Sequence, residues 1–213
     1  MTSETKSLRS RYDRQLLQLQ NQLEKMGTLC SRMLAETENM LEPEAETPLS
    51  FFIRCARETA ETARDTDRLC LLLILRQQPV SRDLMLVTTA SRASSDLERI
   101  AHLCLELART LRKIRTPDCH STLKQMNHLA RRQLSLALRD VHRLSPVENK
   151  ELEQLDDRID QLFEQLKTRL IANSQTPKQG VEVLMAAKYL ERIADHCVLL
   201  GKGPAQTQDL LAP

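Results

Sequence analysis

Glycine is scarce in this sequence, with four residues in 213 against the ~7% of an average chain. Gly-rich phosphate loops, dinucleotide-binding turns and strand-rich folds with many tight turns all need more than that. Aromatic residues make up 2% and tryptophan is absent. Excess charge is missing too. Lys and Arg number 31 against 29 Asp and Glu, which gives no electrostatic case for a nucleic-acid partner. Long apolar runs are also lacking. The longest, Leu69 to Leu75, is flanked by Arg68 and Arg76 and falls far short of the ~18 residues of a membrane span. The first residues, with Glu4, Lys6, Arg9 and Arg11, carry no apolar core of a signal peptide. A cytoplasmic protein without membrane insertion is expected. The six cysteines (Cys30, Cys55, Cys70, Cys104, Cys119, Cys197) form no CxxC pair. In a reducing compartment they read as small core residues rather than disulfides or zinc ligands.

What the sequence does have is leucine, 38 residues of it, spaced for helix packing. Tyr12, Leu16, Leu19, Leu23, Met26, Cys30 and Met33 alternate spacings of four and three. Leu97, Ala101, Cys104, Ala108 and Leu111 do the same. So do Leu152, Leu155, Ile159, Leu162 and Leu166, and then Val183, Ala187, Leu190, Ala194 and Cys197. These are narrow seams with a period near 3.5, the packing mode of bundles. Small residues such as Ala101, Cys104, Ala187, Ala194 and Cys197 would permit close helix approach.

Prolines punctuate the seams. Thr47-Pro48, Gln78-Pro79, Thr116-Pro117, Ser145-Pro146 and Thr176-Pro177 each precede a periodic stretch. A hydroxyl at the N-cap followed by Pro at the first helical position suits a helix start. Glu148 adds the reciprocal acid of a capping box. With a first helix from roughly Lys6 to Leu41, six helices of about 25 to 35 residues result, each ~40–50 Å long at 1.5 Å per residue. An elongated all-α bundle is predicted.

The chain also repeats. Leu97-Glu98-Arg99-Ile100-Ala101-His102-Leu103-Cys104 returns 93 residues later as Leu190-Glu191-Arg192-Ile193-Ala194-Asp195-His196-Cys197, with six of eight positions identical. A duplicated three-helix unit follows. Residues 1–115 form the first unit, 116–203 the second, and 204–213 a flexible tail.

The repeat places acids in matched positions. Asp156 and Asp160 stand one turn apart, each just past a seam residue, Leu155 or Ile159. Glu191 and Asp195 stand likewise past Leu190 and Ala194. If antiparallel neighbours meet there, four carboxylates converge, and they repel unless cations neutralise them. Two neutralisations are open: ion pairing with Arg158, Arg192, Lys188 or Arg169 on a solvated face, or a hard, oxygen-ligated cation such as Mg, Mn or Fe. In the first half Glu98 and His102 take the matching places, a pair still able to ligate Fe or Zn. The facing helix, however, offers Ala56, Ala60 and Ala63, so a degraded or absent first site is expected, with His102 a surface histidine. No Glu-x-x-His of di-iron bundles, GxSxG, HExxH or P-loop occurs. His120, His128 and His142 have no partner visible in sequence. The basic run Arg109, Arg112, Lys113, Arg115 suits the end of a helix dipole. No enzymatic activity is expected.

The duplicated Leu-Glu-Arg-Ile-Ala-(His/Asp) motif resembles the repeated L-E-R-I-G-D signature of the PhoU family of bacterial phosphate-signalling regulators. Tyr12-Asp13-Arg14-Gln15-Leu16 through Met26-Gly27 is similar to that family's opening helix. Gln78-Pro79-Val80-Ser81-Arg82-Asp83-Leu84 resembles its Q-P-x-A-x-D-L-R junction, and Asp156 to Asp160 its acidic D-x-x-x-D. The resemblance runs from about residue 8 to 203, the extent of a stand-alone member. It implies two tandem three-helix bundles related by a pseudo-two-fold. It also implies multinuclear sites for Fe, Mn, Mg or Zn at the acid pairs Asp156, Asp160, Glu191 and Asp195. The implied role is an adaptor between the ATPase of a phosphate ABC transporter and a sensor histidine kinase, acting as a homodimer or higher homo-oligomer. A phosphate-transport accessory without transcriptional control, or a plain helical scaffold, are the competing readings. The chain departs from the family pattern at His102, at the alanines of the second helix and at Met85, where the family prefers Arg.

Overall fold

Every seam folds as one helix. The structure, a computed structural model, describes residues 3–42, 47–79, 82–115, 119–143, 150–172 and 177–202. The helices are α1 (Ser3–Asn39), α2 (Leu49–Gln77), α3 (Arg82–Leu111), α4 (His120–Arg143), α5 (Lys150–Ala172) and α6 (Pro177–Gly201). Their lengths run from 23 to 37 residues, a wider range than the spacing predicts. Among the described residues there is no strand, and no helix is long and apolar enough to cross a membrane.

The seams are the core. Leu19, Leu23, Met26, Cys30 and Met33 of α1 are buried, with Tyr12 and Leu16 half-buried against them. All five seam residues of α5 and all five of α6 are buried. Each such aliphatic side chain contributes on the order of 1.5–3 kcal/mol, so the face that α5 turns to its neighbours is firmly set. All six cysteines are buried and none is in a disulfide, in keeping with their positions in the core. Hydroxyls inside the helices bond back to their own backbone, as Thr59 does to the Cys55 carbonyl (2.9 Å) and Thr62 to that of Glu58 (2.8 Å), which satisfies them without a partner helix.

Cross-helix contacts give the directions. Lys25 meets Glu58 and Thr47 donates to Glu36, so α1 and α2 are antiparallel. Ser91 donates to Asp67 (2.9 Å) and Cys70 to the Val87 carbonyl (3.5 Å), which makes α2 and α3 antiparallel. Cys30 donates to the Leu97 carbonyl and Ser94 to Met26, so α1 and α3 run parallel. Between the repeats, α3 packs on α6 and α1 on α4. The pairs Lys113–Glu182 and Asp96–His196 make α3 and α6 antiparallel; Lys124–Glu42 and Asn127–Leu34 do so for α1 and α4. Each of these helices thus lies antiparallel to its repeat counterpart, as a two-fold perpendicular to the bundle requires. The small seam residues Ala101, Cys104, Ala194 and Cys197 are all buried. Gly27 has a related role on α1. A Cβ there would sit 2.5 Å from Leu138 Cδ2 of α4, so the missing side chain leaves the space that the Leu138 side chain fills.

One expected cap is displaced. The N-cap of α2 is Pro48, in extended conformation and without a side-chain cap bond. Thr47 spends its hydroxyl on Glu36 of the preceding helix instead. Proline cannot donate, so its place one residue earlier still leaves no orphaned amide of its own. At the other end Gln78 adopts the left-handed region (φ 45°), its N–H bonding the Ile74 carbonyl, and closes α2 as an αL cap. The starts at Thr116-Pro117 and Ser145-Pro146, the capping box at Glu148, Thr176, and the 204–213 tail lie outside the described residues.

Candidate functional site

The acidic face of the second repeat follows from the α5 and α6 seams. Because Leu155 and Ile159 must point inward, Asp156 and Asp160 emerge at the edge of α5 one turn apart. Leu190 and Ala194 fix Glu191 and Asp195 on α6 in the same way. Asp156 and Glu191 are half-buried, while Asp160 and Asp195 reach solvent.

Electrostatics tie the acids together. Burial holds the Asp156 carboxyl above the ordinary aspartate range, a hydrogen bond from Gln133 opposes this, and the charges of Asp195, Asp160 and Asp157 add to it. Asp160 is raised as well, first by burial and then by Asp195, with Lys188 pulling the other way. Asp156, Asp160 and Asp195 therefore lie within electrostatic reach of one another. Glu191 is engaged separately. Lys188 Nζ lies 2.6 Å from its Oε1 and 2.5 Å from its Oε2. It donates to Oε1, while the buried Oε2 receives no aligned hydrogen bond. Of the four cations that the sequence offers, Lys188 is the one seen on an acid of the group; Arg158 donates to Gln161. Among the described residues, no three His, Cys, Asp or Glu side chains come together closely enough to hold an ion. The four carboxylates share a face without meeting at one point.

Gln133 of α4 is the member that sequence reasoning missed. It is fully buried; its Nε2 donates to the Leu152 carbonyl (3.2 Å) and to Asp156 Oδ1 (3.3 Å), and its Oε1 has no partner. The signal was present. Met126, Ala130, Gln133 and Ala137 form a buried seam, and an amide in such a seam needs a polar reason to be there.

The first repeat is built differently. The α2–α3 register set by Asp67–Ser91 and Cys70–Val87 puts Ala60 across from Glu98 and Ala56 across from His102. Two alanines thus stand where the second repeat has Asp160 and Asp156. With the acids gone, a cleft of about 460 Å³ opens there, lined by Ala56, Ala60, Glu98 and His102. His102 is exposed. Across the cleft, His196 of α6 meets Asp96 of α3 at 3.0 Å, a bridge between the repeats that the eight-residue motif does not reveal.

A tandem duplication of a three-helix bundle, with an acidic edge in one half and alanines in the other, is the class this architecture defines. The PhoU domain profile matches residues 23–111 and 123–202. The chain belongs to the PhoU family. A phosphate-specific transport system accessory protein PhoU homolog of Deinococcus radiodurans is 30% identical over 84% of this chain and 86% of its own length. One of Burkholderia is 26% identical over 92% and 88%. The crystal structure of PhoU from Pseudomonas aeruginosa superposes with a TM-score of 0.79 at 19% identity, covering 89% of this chain and 95% of that one. The phosphate transport system regulatory protein PhoU of Streptococcus pneumoniae gives 0.71 at 19%, over 89% and 93%. At that identity these two show the shared fold.

Proposed function

We infer that this protein is a non-enzymatic accessory and regulator of phosphate uptake. It acts in the cytoplasm as an adaptor between the ATPase of a phosphate ABC transporter and a sensor histidine kinase, and it binds Fe, Mn, Mg or Zn on its acidic face. The accessory role is supported by relatives named as phosphate-specific transport system accessory proteins over most of their length. The observation that carries the metal is the electrostatic conflict at the α5–α6 edge. Burial first, and then the charge of Asp195, raise both Asp156 and Asp160, and one buried acceptor, Gln133 Oε1, has no donor. This donor set suits a hard cation, which prefers carboxylate and amide oxygens. Asp156, Asp160, Glu191 and Asp195, which share the face without meeting at one point, would draw together to hold it, and its charge would relieve their repulsion. Self-association as a homodimer or higher oligomer belongs to the same proposal.

Elemental analysis of the purified protein tests the site. Bound metal should be present in the natural chain and largely lost from Asp156→Ala/Glu191→Ala; equal content in both defeats the assignment. A deletion strain carrying a phosphate-starvation reporter tests the adaptor role. Reporter output should rise in rich phosphate. Unchanged output with altered phosphate uptake would favour an accessory that tunes the transporter alone.

A further inference from the structure

Beside the α2–α3 cleft, and separate from the acidic face, α3 and α6 border a second, half-open cavity of about 270 Å³. Its lining includes Thr89, Arg92, Ser95 and Asp96 of α3, with Leu199 of α6 and Lys202 just past its end. Among the described residues neither Arg92 nor Lys202 has a carboxylate partner, so both charges stand open to an anion, unlike those of Lys25, Arg131 and Lys188. The hydroxyls of Thr89 and Ser95 are likewise uncommitted among the described residues. Thr88, by contrast, bonds back to the Leu84 carbonyl, the ordinary state of a helical threonine. Asp96 uses Oδ1 to meet His196 Nδ1 at 3.0 Å, which leaves Oδ2 as an open acceptor.

Two cations, two hydroxyl donors and one spare carboxylate oxygen in a small cavity form a specific chemical set. Cations and hydroxyls bind any tetrahedral oxyanion. A carboxylate among them repels a fully deprotonated anion such as sulfate, but accepts a hydrogen bond from one that keeps a proton. Hydrogen phosphate keeps one at neutral pH, with a second pKa near 6 to 7. The volume is below the ~300–1,000 Å³ of sites for drug-sized ligands, so it suits a free anion with water better than a nucleotide. We propose that the cavity formed by Thr89, Arg92, Ser95, Asp96 and Lys202 binds inorganic phosphate and selects it over sulfate through Asp96. The inference rests on the phosphate-accessory reading only for its physiological sense. Its chemistry stands on the cavity alone, and it would give the regulator a way to read phosphate directly.

Isothermal titration of the full-length, chelator-treated protein in chloride buffer decides the matter, because it needs neither transporter nor kinase nor bound metal. Inorganic phosphate should bind saturably at one site, at least about tenfold tighter than sulfate. Arg92→Gln/Lys202→Gln changes two exposed side chains and should weaken phosphate by about tenfold or more with an unchanged melting curve. Asp96→Asn should bring the phosphate-to-sulfate ratio towards one. Absence of saturable phosphate binding, equal affinity for both anions in the natural chain, or binding indifferent to the double substitution overturns the proposal. Tighter binding of ADP than of phosphate also overturns it, since the site would then serve a nucleotide. A failed adaptor test with these titrations intact would remove the regulatory reading and leave the anion site.

Discussion

Lys188 and Glu191, one turn apart on α6, are joined at 2.6 Å on the inner edge of the acidic face. The same ammonium sits 5.3 Å from the centre of the Phe163 ring of α5. It also pulls the Asp160 carboxyl down against the forces that raise it. Lys188 is thus a resident cation in the place where a metal would act, and the two compete for the same oxygens. Lys188→Met keeps the aliphatic stem against Phe163 and removes the charge. It should raise metal affinity by about tenfold, the effect of one like charge relieved at close range. Metal titration followed by calorimetry checks this; weaker binding in the variant would mean that Lys188 organises the face rather than competing for it.

The raised carboxyls set a pH signature. Asp156 and Asp160 hold their protons more tightly in the folded chain than in the unfolded one. Their contribution to stability is therefore fully present below the ordinary aspartate range and is lost as pH rises through their folded values. Glu58 runs the other way: its hydrogen bond to Lys25 lowers its carboxyl, and that contribution is lost as pH falls below the ordinary range. The window just above the ordinary range belongs to the two aspartates. Metal-free protein should lose melting temperature as pH rises above the ordinary aspartate range, and Asp156→Asn should flatten the fall. Added Mn should restore stability at the upper end, since binding to the folded state alone is stabilising. Thermal melts across the series, with and without metal, read all three effects.

Gln133 separates stability from binding. Its amide spans two hydrogen bonds, to the Leu152 carbonyl and Asp156, and leaves one oxygen unsatisfied. Gln133→Leu removes the orphaned oxygen along with both bonds, so the net change in folding stability should stay within about 1 kcal/mol. The Asp156 carboxyl should rise further, because the bond that lowers it is gone, and metal affinity should drop. Chemical denaturation and metal titration on one sample give the two readings. A large stability loss with intact metal binding would reduce Gln133 to a structural linker.

The bundle was legible because its information is local. Seams such as Leu152, Leu155, Ile159, Leu162 and Leu166 encode helix, buried face and neighbour in one spacing, and all five are buried. The repeat did the same for the acid pairs, since matched offsets from matched seams force matched positions. The cap at Pro48 was not legible, because it depends on whether Thr47 finds a better partner in Glu36 of another helix. Nor was the Asp96–His196 bridge. His196 replaces a leucine of the first motif, and only the antiparallel packing of α3 on α6 says what it faces. Gln133 carried a signal within its own helix, but its partner on α5 did not. What sequence spacing withholds is pairing between helices that are distant along the chain.

The contrast between the halves can be tested by reversing it. Ala56 and Ala60 lie across from His102 and Glu98 in the register fixed by Asp67–Ser91, the places held by Asp156 and Asp160 in the second half. Both alanines are partly exposed and border an open cleft, so aspartates there have room and solvent, and the helix loses only a few tenths of a kcal/mol per exchange in propensity. Ala56→Asp/Ala60→Asp with His102→Asp restores the full set of four acids, one pair on each helix. If four carboxylates at this spacing are what binds the cation, metal content should rise by on the order of one ion per chain, and it should survive Asp156→Ala/Glu191→Ala. Elemental analysis of the rebuilt chain, alone and with the second-half acids removed, decides it. No gain in either background would mean that the acids alone do not make the site, and would point to Gln133, which has no counterpart in the rebuilt set, as the missing ligand.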